Sequence, residues 1–527
     1  MSLSPPTALA DKVAQLVFVR LGSNMTPPVM ASEDADRVSA LLERYPLGGL
    51  LLFNGAFPAT ADRLAELQAR SAFPLLVAAD LERGVGQQVD GATVFPHAMA
   101  LAALDDAAHE AIDAVARATA REALACGVHQ LLAPVADVNL HPRNPIISIR
   151  AFGTEPAVVA QHVQTYVQAV RDEGLITTAK HFPGHGRTVD DTHDTLPAVE
   201  ATHADLEAAD LVPFRAAFEA GADTVMTTHA AFPALDLEGR PATLSPPILR
   251  GLLRDRMGFE GPVVTDSMLM AAVRSTHDDP GDQAAALLNA GVDCILDPTD
   301  PEAVIEGLIQ AVADGRVAAE RVDAACDRIW RLKSRLAVRF GPDVFTTPEK
   351  YVDRSIVGSS PHRDLAASVA RRAVTVMGDH PPLFPGDVRD SAGFTAIYIT
   401  PRAGEAARSE IPLEAALRAQ APNATFIVID ADTTPDELDA IRGQAAAAHT
   451  VLLALAVTPA AWQRFGLQPD QEQFVTQLSE ATSRLIVAAL GSPHVLDSVP
   501  RTGPQLCTYT DVPEAHRALL SLVVSTP

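Results

Sequence analysis

The chain has 527 residues, 47% of them hydrophobic and 20% charged, which is enough for two or three domains that each bury a core. Its formal net charge of -25 sets an average field that repels phosphate and argues against nucleic acid or an anionic membrane as partner. No apolar stretch approaches the roughly 18 to 20 residues of a membrane span, and the opening MSLSPPTALADKVAQLVFVRLG has no basic head, apolar run and small-residue cleavage site.

Cys126, Cys294, Cys326 and Cys507 are scattered without CxxC spacing, so neither a disulfide framework nor a cysteine zinc site is expected, and a cytoplasmic location is. Along the first 340 residues or so, short apolar runs ending in polar residues alternate with alanine-rich stretches of helical spacing. The expected strands are LGGLLLF (47–53), PLLVAAD (74–80), HQLLAPVADV (129–138), LITTAKHF (175–182), DTVMTTH (223–229), GPVVTDS (261–267) and VDCILD (292–297). An earlier one is possible at QLVFVRL.

About eight such units suit a TIM-type (β/α)8 barrel over residues 1–345, with chemistry at the carboxyl ends of the strands. A doubly wound sheet is the structural alternative, but neither LFNGAF nor DLERGVGQ matches a phosphate-binding glycine loop. Residues 346–362 are rich in turn formers and read as a linker. Over 363–527, the runs TAIYIT, TFIVID, TVLLALAV, RLIVAALGSP and QLCTYT alternate with helical stretches, which predicts a smaller open α/β domain, an αβα sandwich.

The ionisable residues concentrate in KHFPGHGRTVDDTHDTLP, residues 180–197. Lys180 and His181 close an expected strand, and FPGHG permits a sharp reversal because glycine accepts positive φ and proline has no amide to leave unpaired. Asp191 and His193 follow, two residues apart in a non-helical segment, where a carboxylate can bond one imidazole nitrogen and raise the basicity of the other. Such a histidine can serve as general acid and base near neutral pH. Asp190 adjoins Asp191 and offers an alternative partner.

Asp266 ends an apolar run in Thr-Asp-Ser, the place where a barrel presents a catalytic side chain. With Lys180 and Arg150 near it, its pKa falls and it stays an ionised nucleophile. Asp80, ending PLLVAAD, adds a further polar group aimed at the same pocket. Blander roles suit other residues: His185, between two glycines, shapes the loop; Asp137 and Asn139 tie loops together; Met268 and Met270 pack at a strand end. His229 suits the pocket or a bond within the barrel equally well.

The segment KHFPGHGRTVDDTH resembles the KHFPGHG(D)TxxD(S/T)H signature of family 3 glycoside hydrolases of the β-N-acetylglucosaminidase branch. The blocks APVADVNLHPRNPIISIRAFG, PALDLEGRPATLSPPILRGLLRDRMGFEGPVVTDSMLM and LNAGVDCILDP are similar to others of that family, in the same order. The resemblance covers roughly residues 10–340 and more weakly the remainder, through RRAVTVMGD and LGSP. It implies retaining hydrolysis of a terminal β-linked N-acetylglucosamine without metal or cofactor. In that reading Asp266 is the nucleophile, Asp191 and His193 supply the acid/base, and Asp80, Arg150, Lys180 and His181 bind the sugar.

Two departures stand out. The residue after KHFPGHG, usually acidic in that branch, is Arg187, and the arginine expected at the end of DLERGVGQQV is Gln88. Other readings within the family are a β-glucosidase or an N-acetylglucosaminide phosphorylase, since an imidazole does not repel an anionic acceptor as a second carboxylate would. Outside it, His181, His185, His193, Asp191 and Asp266 could ligate a metal in a barrel hydrolase, although no HxH ends an early strand and no HExxH occurs. A sugar-binding protein on a degenerate glycosidase scaffold is a third class.

Overall fold

The computed structural model describes residues 4–189, 196–274, 276–377, 393–404, 411–459, 465–482 and 484–524. Eight apolar runs of the first 300 residues form strands: β1 (Val17–Leu21), β2 (Gly49–Leu52), β3 (Leu76–Ala79), β4 (Gln130–Leu131), β5 (Ile176–Phe182), β6 (Thr224–Thr227), β7 (Val263–Val264) and β8 (Ile295–Leu296). They neighbour one another in the order β8-β1-β2-β3-β4-β5-β6-β7, every pair parallel. A parallel bridge from Val264 to Cys294 joins β7 to β8 and closes the ring. The strands are almost wholly buried, as expected where a parallel sheet is enclosed on both faces, and this explains why their sequences read as continuous apolar runs.

QLVFVRL does form a strand. Asp266 therefore follows the seventh strand of the barrel, not the sixth that a count from LGGLLLF gives. The run 129–138, expected as one strand, pairs regularly only at Gln130 and Leu131. Pro134 has no amide to donate, so the ladder breaks there and resumes as a single bridge from Val135 to Lys180, where Ala136 N donates to Lys180 O at 2.6 Å.

Helices fill the crossovers. In α1 (Pro156–Asp172), Val159, Val163, Tyr166, Val167 and Val170 are buried at spacings of three and four, and a proline occupies the first turn, where its missing amide costs nothing. α2 (Pro280–Ala290) and α3 (Pro301–Ala313) also open on proline, and the side chains of Asp279 and Asp300 accept from the amides of Asp282 and Ala303 as N-caps. α4 (Ala319–Phe340) buries Val322, Ile329, Lys333 and Leu336.

The described residues fall into two compact units, drawn from Met1–Val94, His109–His141 and Ala151–Arg363 for the first and from Phe95–Ala108, Pro142–Arg150 and Asp364–Pro527 for the second. Residues 346–362 thus belong to the first unit, and two short segments from within the 1–345 span, one of them ending in Arg150, belong to the second. The second unit holds a separate six-stranded sheet: β9 (Thr375–Met377), β10 (Phe394–Ile399), β11 (Thr425–Ile429), β12 (Thr450–Leu455), β13 (Leu485–Ala489) and β14 (Gln505–Cys507). Their order is β9-β14-β13-β12-β10-β11. β9 alone runs antiparallel to its neighbour. Alternate residues of β10 and β12 enter two different cores, Ala396 and Leu452 in one and Ile397 and Leu453 in the other, so apolar layers cover both faces.

Candidate active site

Lys180 and His181 are consecutive, and strict alternation would turn their side chains to opposite faces of β5. The pairing with β6 runs Lys180 to Met226 and then Phe182 to Thr227, so His181 is an extra residue in a bulge, a device that re-aims a side chain at a strand end. Lys180 is 2% exposed at its side chain, and its Nζ lies 2.6 Å from Asp80 Oδ1 and 2.7 Å from Glu82 Oε1. One ammonium thus holds the carboxylate that ends β3 and the one two residues beyond. An ammonium buried to this degree requires such partners.

His181 is held from the neighbouring strand end. Asp137 Oδ2 accepts from the His181 amide at 3.1 Å and from the ring Nδ1 at 2.7 Å, while Oδ1 accepts from the His185 amide at 2.7 Å. A carboxylate only accepts, so Nδ1 of His181 carries a proton. Burial alone would push the Asp137 carboxyl up, but the charge and hydrogen bond of His181 and the His185 amide hold it below the usual range. Asp137 therefore does tie loops together, as its short polar side chain suggests, and it also fixes the ring of a candidate sugar ligand.

His185 is turned into its own loop. Its Nδ1 lies 2.7 Å from Thr188 Oγ1, whose proton goes to the His185 carbonyl, so Nδ1 is the donor. Burial first, and the nearby His181 second, push its pKa down to about 4, which leaves the ring neutral. Gly186 beside it packs so closely that an added Cβ would meet Val138 O at 1.6 Å.

Asp266 lies just past β7 and is partly exposed. Its Oδ1 accepts from the amide of Ser267 at 2.7 Å. Desolvation raises its pKa, but His181, His229, the Ser267 amide and Lys180 outweigh that and leave the carboxyl below its ordinary range, ionised at neutral pH. His229 is completely buried and bonded within the barrel, Nε2 to Ser267 O at 3.2 Å, with its pKa lowered by burial. Met268 and Met270 are buried beside the same turn.

The two departures from the family pattern have partners. Arg187 Nε donates to Asp210 Oδ2 at 2.9 Å, a nearly buried carboxylate that burial pushes up to about 6 against the pull of that guanidinium. The Gln88 carboxamide accepts from Asn24 Nδ2 at 3.0 Å. Asp191 and His193, with Asp190, lie outside the described residues. Arg150 belongs to the second unit, where its Nη1 donates to Ile146 O at 3.1 Å.

The first unit therefore brings Asp80, Lys180 and His181 together with Asp266, since Lys180 binds Asp80 and both Lys180 and His181 act electrostatically on Asp266. Glu82 and the ring-holding part of Asp137 were not foreseen. Both stand in the quoted blocks DLERG and APVADV, just past or within a strand run, and that position was the available signal. Among the described residues no group of three or more His, Cys, Asp or Glu side chains is disposed to hold a metal ion. No helix among them is long and apolar enough to cross a membrane.

Residues 8–332 match the glycosyl hydrolase family 3 N-terminal domain. The chain belongs to glycosyl hydrolase family 3. It is 32% identical over 364 residues to a beta-N-acetylglucosaminidase/beta-glucosidase of Cellulomonas fimi, an alignment covering 67% of this chain and 63% of that protein. To beta-hexosaminidase A of Pseudoalteromonas piscicida it is 31% identical over 369 residues, 64% of this chain and 60% of that one, so the chain spans less than two thirds of either relative. Among solved structures, the family 3 beta-N-acetylglucosaminidase of Paenibacillus sp. str. FPU-7 superposes with a TM-score of 0.83 at 30% identity, covering 98% of this family 3 chain and 97% of that one.

Proposed function

We propose that the chain is a retaining, exo-acting glycoside hydrolase that releases a terminal β-linked N-acetylglucosamine from a small carbohydrate. The observation that carries this reading is the ionised Asp266 at the end of β7, with the cationic Lys180 and the oriented His181 acting on it. An ionised carboxylate at the mouth of a barrel is competent to attack an anomeric carbon and hold the sugar as a glycosyl ester. Asp80 and Glu82 both pair with the Lys180 ammonium, which also acts electrostatically on Asp266, and this acidic balance favours the positive charge developing on an oxocarbenium-like sugar. In this reading Asp80, Lys180 and His181 bind hydroxyls of the sugar, and Asp191 and His193 deliver and recover the proton of the leaving oxygen.

All four cysteines are buried and unpaired, which supports a reducing compartment, and we take the cytoplasm as the place of action. The domain division we favour remains a barrel over 1–345, a linker over 346–362 and an α/β domain over 363–527. A β-glucosidase is the second reading, favoured by the double name of the Cellulomonas fimi relative. Aryl β-glycosides that differ only at carbon 2 of the sugar separate the two: turnover of the 2-acetamido compound in large excess over the glucoside is expected, and the reverse preference would overturn the choice. The same assay in phosphate buffer, with products resolved, reports free sugar for hydrolysis and sugar 1-phosphate for phosphorolysis. Asp266→Asn should cost at least roughly a thousandfold in kcat, because the nucleophile itself is removed.

A further inference from the structure

The nucleophile assigned above is followed by a serine whose backbone and side chain are all engaged. The Ser267 amide donates to Asp266 Oδ1 at 2.7 Å, its carbonyl accepts from His229 Nε2 at 3.2 Å, and its Oγ donates to Asp297 Oδ2 at 2.7 Å. Asp297 stands at the end of the adjacent strand β8, nearly buried and at φ 55°, a left-handed conformation that a short polar side chain tolerates better than most. Its amide donates to Phe18 O at 2.8 Å. Its two carboxylate oxygens take a bidentate pair from Arg20 of β1, Nε to Oδ1 at 3.0 Å and Nη2 to Oδ2 at 2.5 Å. Arg20 is itself braced by Phe53, whose ring centroid lies 4.6 Å from the guanidinium carbon.

We propose that Ser267 is a positioning residue for Asp266, and that Asp297, clamped by Arg20, is the anchor through which it acts. The inference rests on the reading of Asp266 as nucleophile. β7 is only two residues long, so its own ladder supports little of the turn that carries Asp266. The Oγ–Asp297 bond ties that turn to the strands on either side of the closing seam, and the carbonyl bond to His229 ties it to β6. With the turn held at both points, the Ser267 amide keeps Oδ1 of Asp266 occupied, and Oδ2 is the oxygen that meets the anomeric carbon. A carboxylate free to rotate would spend most of its time away from the line of attack, and a misplacement of about 1 Å can cost two orders of magnitude in rate. The same residues could instead merely staple β7 to β8, and kinetics separate the two.

The experiment uses the full chain and an activated aryl β-N-acetylglucosaminide, with Ser267→Ala, Asp297→Ala, the double variant and Asp266→Asn, each checked for folding by a circular-dichroism melt. Ser267→Ala is expected to lower kcat roughly 10- to 100-fold with KM within about threefold of the wild type and an unaltered melt. Asp297→Ala should lose a similar factor, and the double variant should be no slower than the slower single one, because both act along one chain of bonds. A folded Ser267→Ala protein with kcat within about twofold of the wild type overturns the proposal, as do losses that multiply in the double variant. Should Asp297→Ala fail to fold, Ser267→Ala alone decides. A wild type inert on every aryl β-glycoside, or full activity in Asp266→Asn, sinks the nucleophile reading and the proposal with it. An active wild type, a dead Asp266→Asn and an unimpaired Ser267→Ala sink the proposal alone.

Discussion

Asp137 holds the end of β5 in place, because one buried carboxylate accepts from two backbone amides and an imidazole. Asp137→Asn keeps the shape but points an amide donor at other donors, at a cost of about 1–3 kcal/mol for each group left unpaired. The expected result is a lower melting temperature and a kcat/KM reduced roughly 100-fold, measured on the aryl 2-acetamido glycoside. At Asp266 the sign of the pKa shift makes a second prediction. A carboxyl held below its ordinary range is already deprotonated above roughly pH 5, so kcat/KM from pH 5 to 6.5 should show no acid limb from this group. An acid limb in that window that disappears in a variant of Asp266 retaining measurable turnover would contradict it. The proton donor is tested through leaving groups. His193→Ala should slow substrates with poor leaving groups far more than activated aryl glycosides, since only the former need a proton in the transition state; equal losses across the series would count against the imidazole as acid.

The reversal after β5 works because glycine sits where backbones touch. A Cβ at Gly186 would meet the Val138 carbonyl at 1.6 Å, and neither partner is a flexible side chain that can move aside. Gly186→Ala should therefore destabilise the fold by about 1–3 kcal/mol through overpacking and raise KM as the Asp137 cradle shifts; a melt and kinetics matching the wild type would refute it. The ends of β3, β5 and β7 were legible because an apolar run that stops at Asp80, at Lys180 and His181, or at Asp266 announces both a strand and its polar tip. What the tips bind was not. Ser267 meets Asp297 across 30 positions, and Arg187 meets Asp210 across 23, pairings that only the closed ring brings about. The acidic residue expected after KHFPGHG is thus replaced by a base that found a buried acid elsewhere. The bulge at His181 and the shortening of β4 also escaped, the first because an extra residue leaves no mark in an apolar run, the second because Pro134 was read through as part of a strand.

For the molecule as a whole, one contributor to the dependence of stability on pH lies in α4 and titrates in a window of its own. Lys333 of α4 is 1% exposed, hydrogen-bonded to the Gln15 carboxamide oxygen and 5.7 Å from the centroid of the Trp330 ring. Burial lowers its pKa from an ordinary 10.5 to about 7. Below about pH 7 both folded and unfolded chains carry the proton, and the folded chain bears the full cost of a desolvated ammonium. Between about 7 and 10.5 the unfolded chain is protonated and the folded one is not, so unfolding takes up a proton and stability rises with pH. The slope from one such group approaches about 1.4 kcal/mol per pH unit. Lys333→Met removes the titration, and with it this slope; the unpaired Gln15 oxygen that results is a constant offset at every pH. Buried Cys294 and Cys326, whose thiol pKa values are raised by burial, work in the opposite direction only above about pH 9, so the informative window is pH 7 to 8.5. Denaturant midpoints measured across it should rise for the wild type relative to Lys333→Met, and the gap between the two should change steadily with pH. Parallel curves would mean that Lys333 is as charged in the folded chain as in the unfolded one.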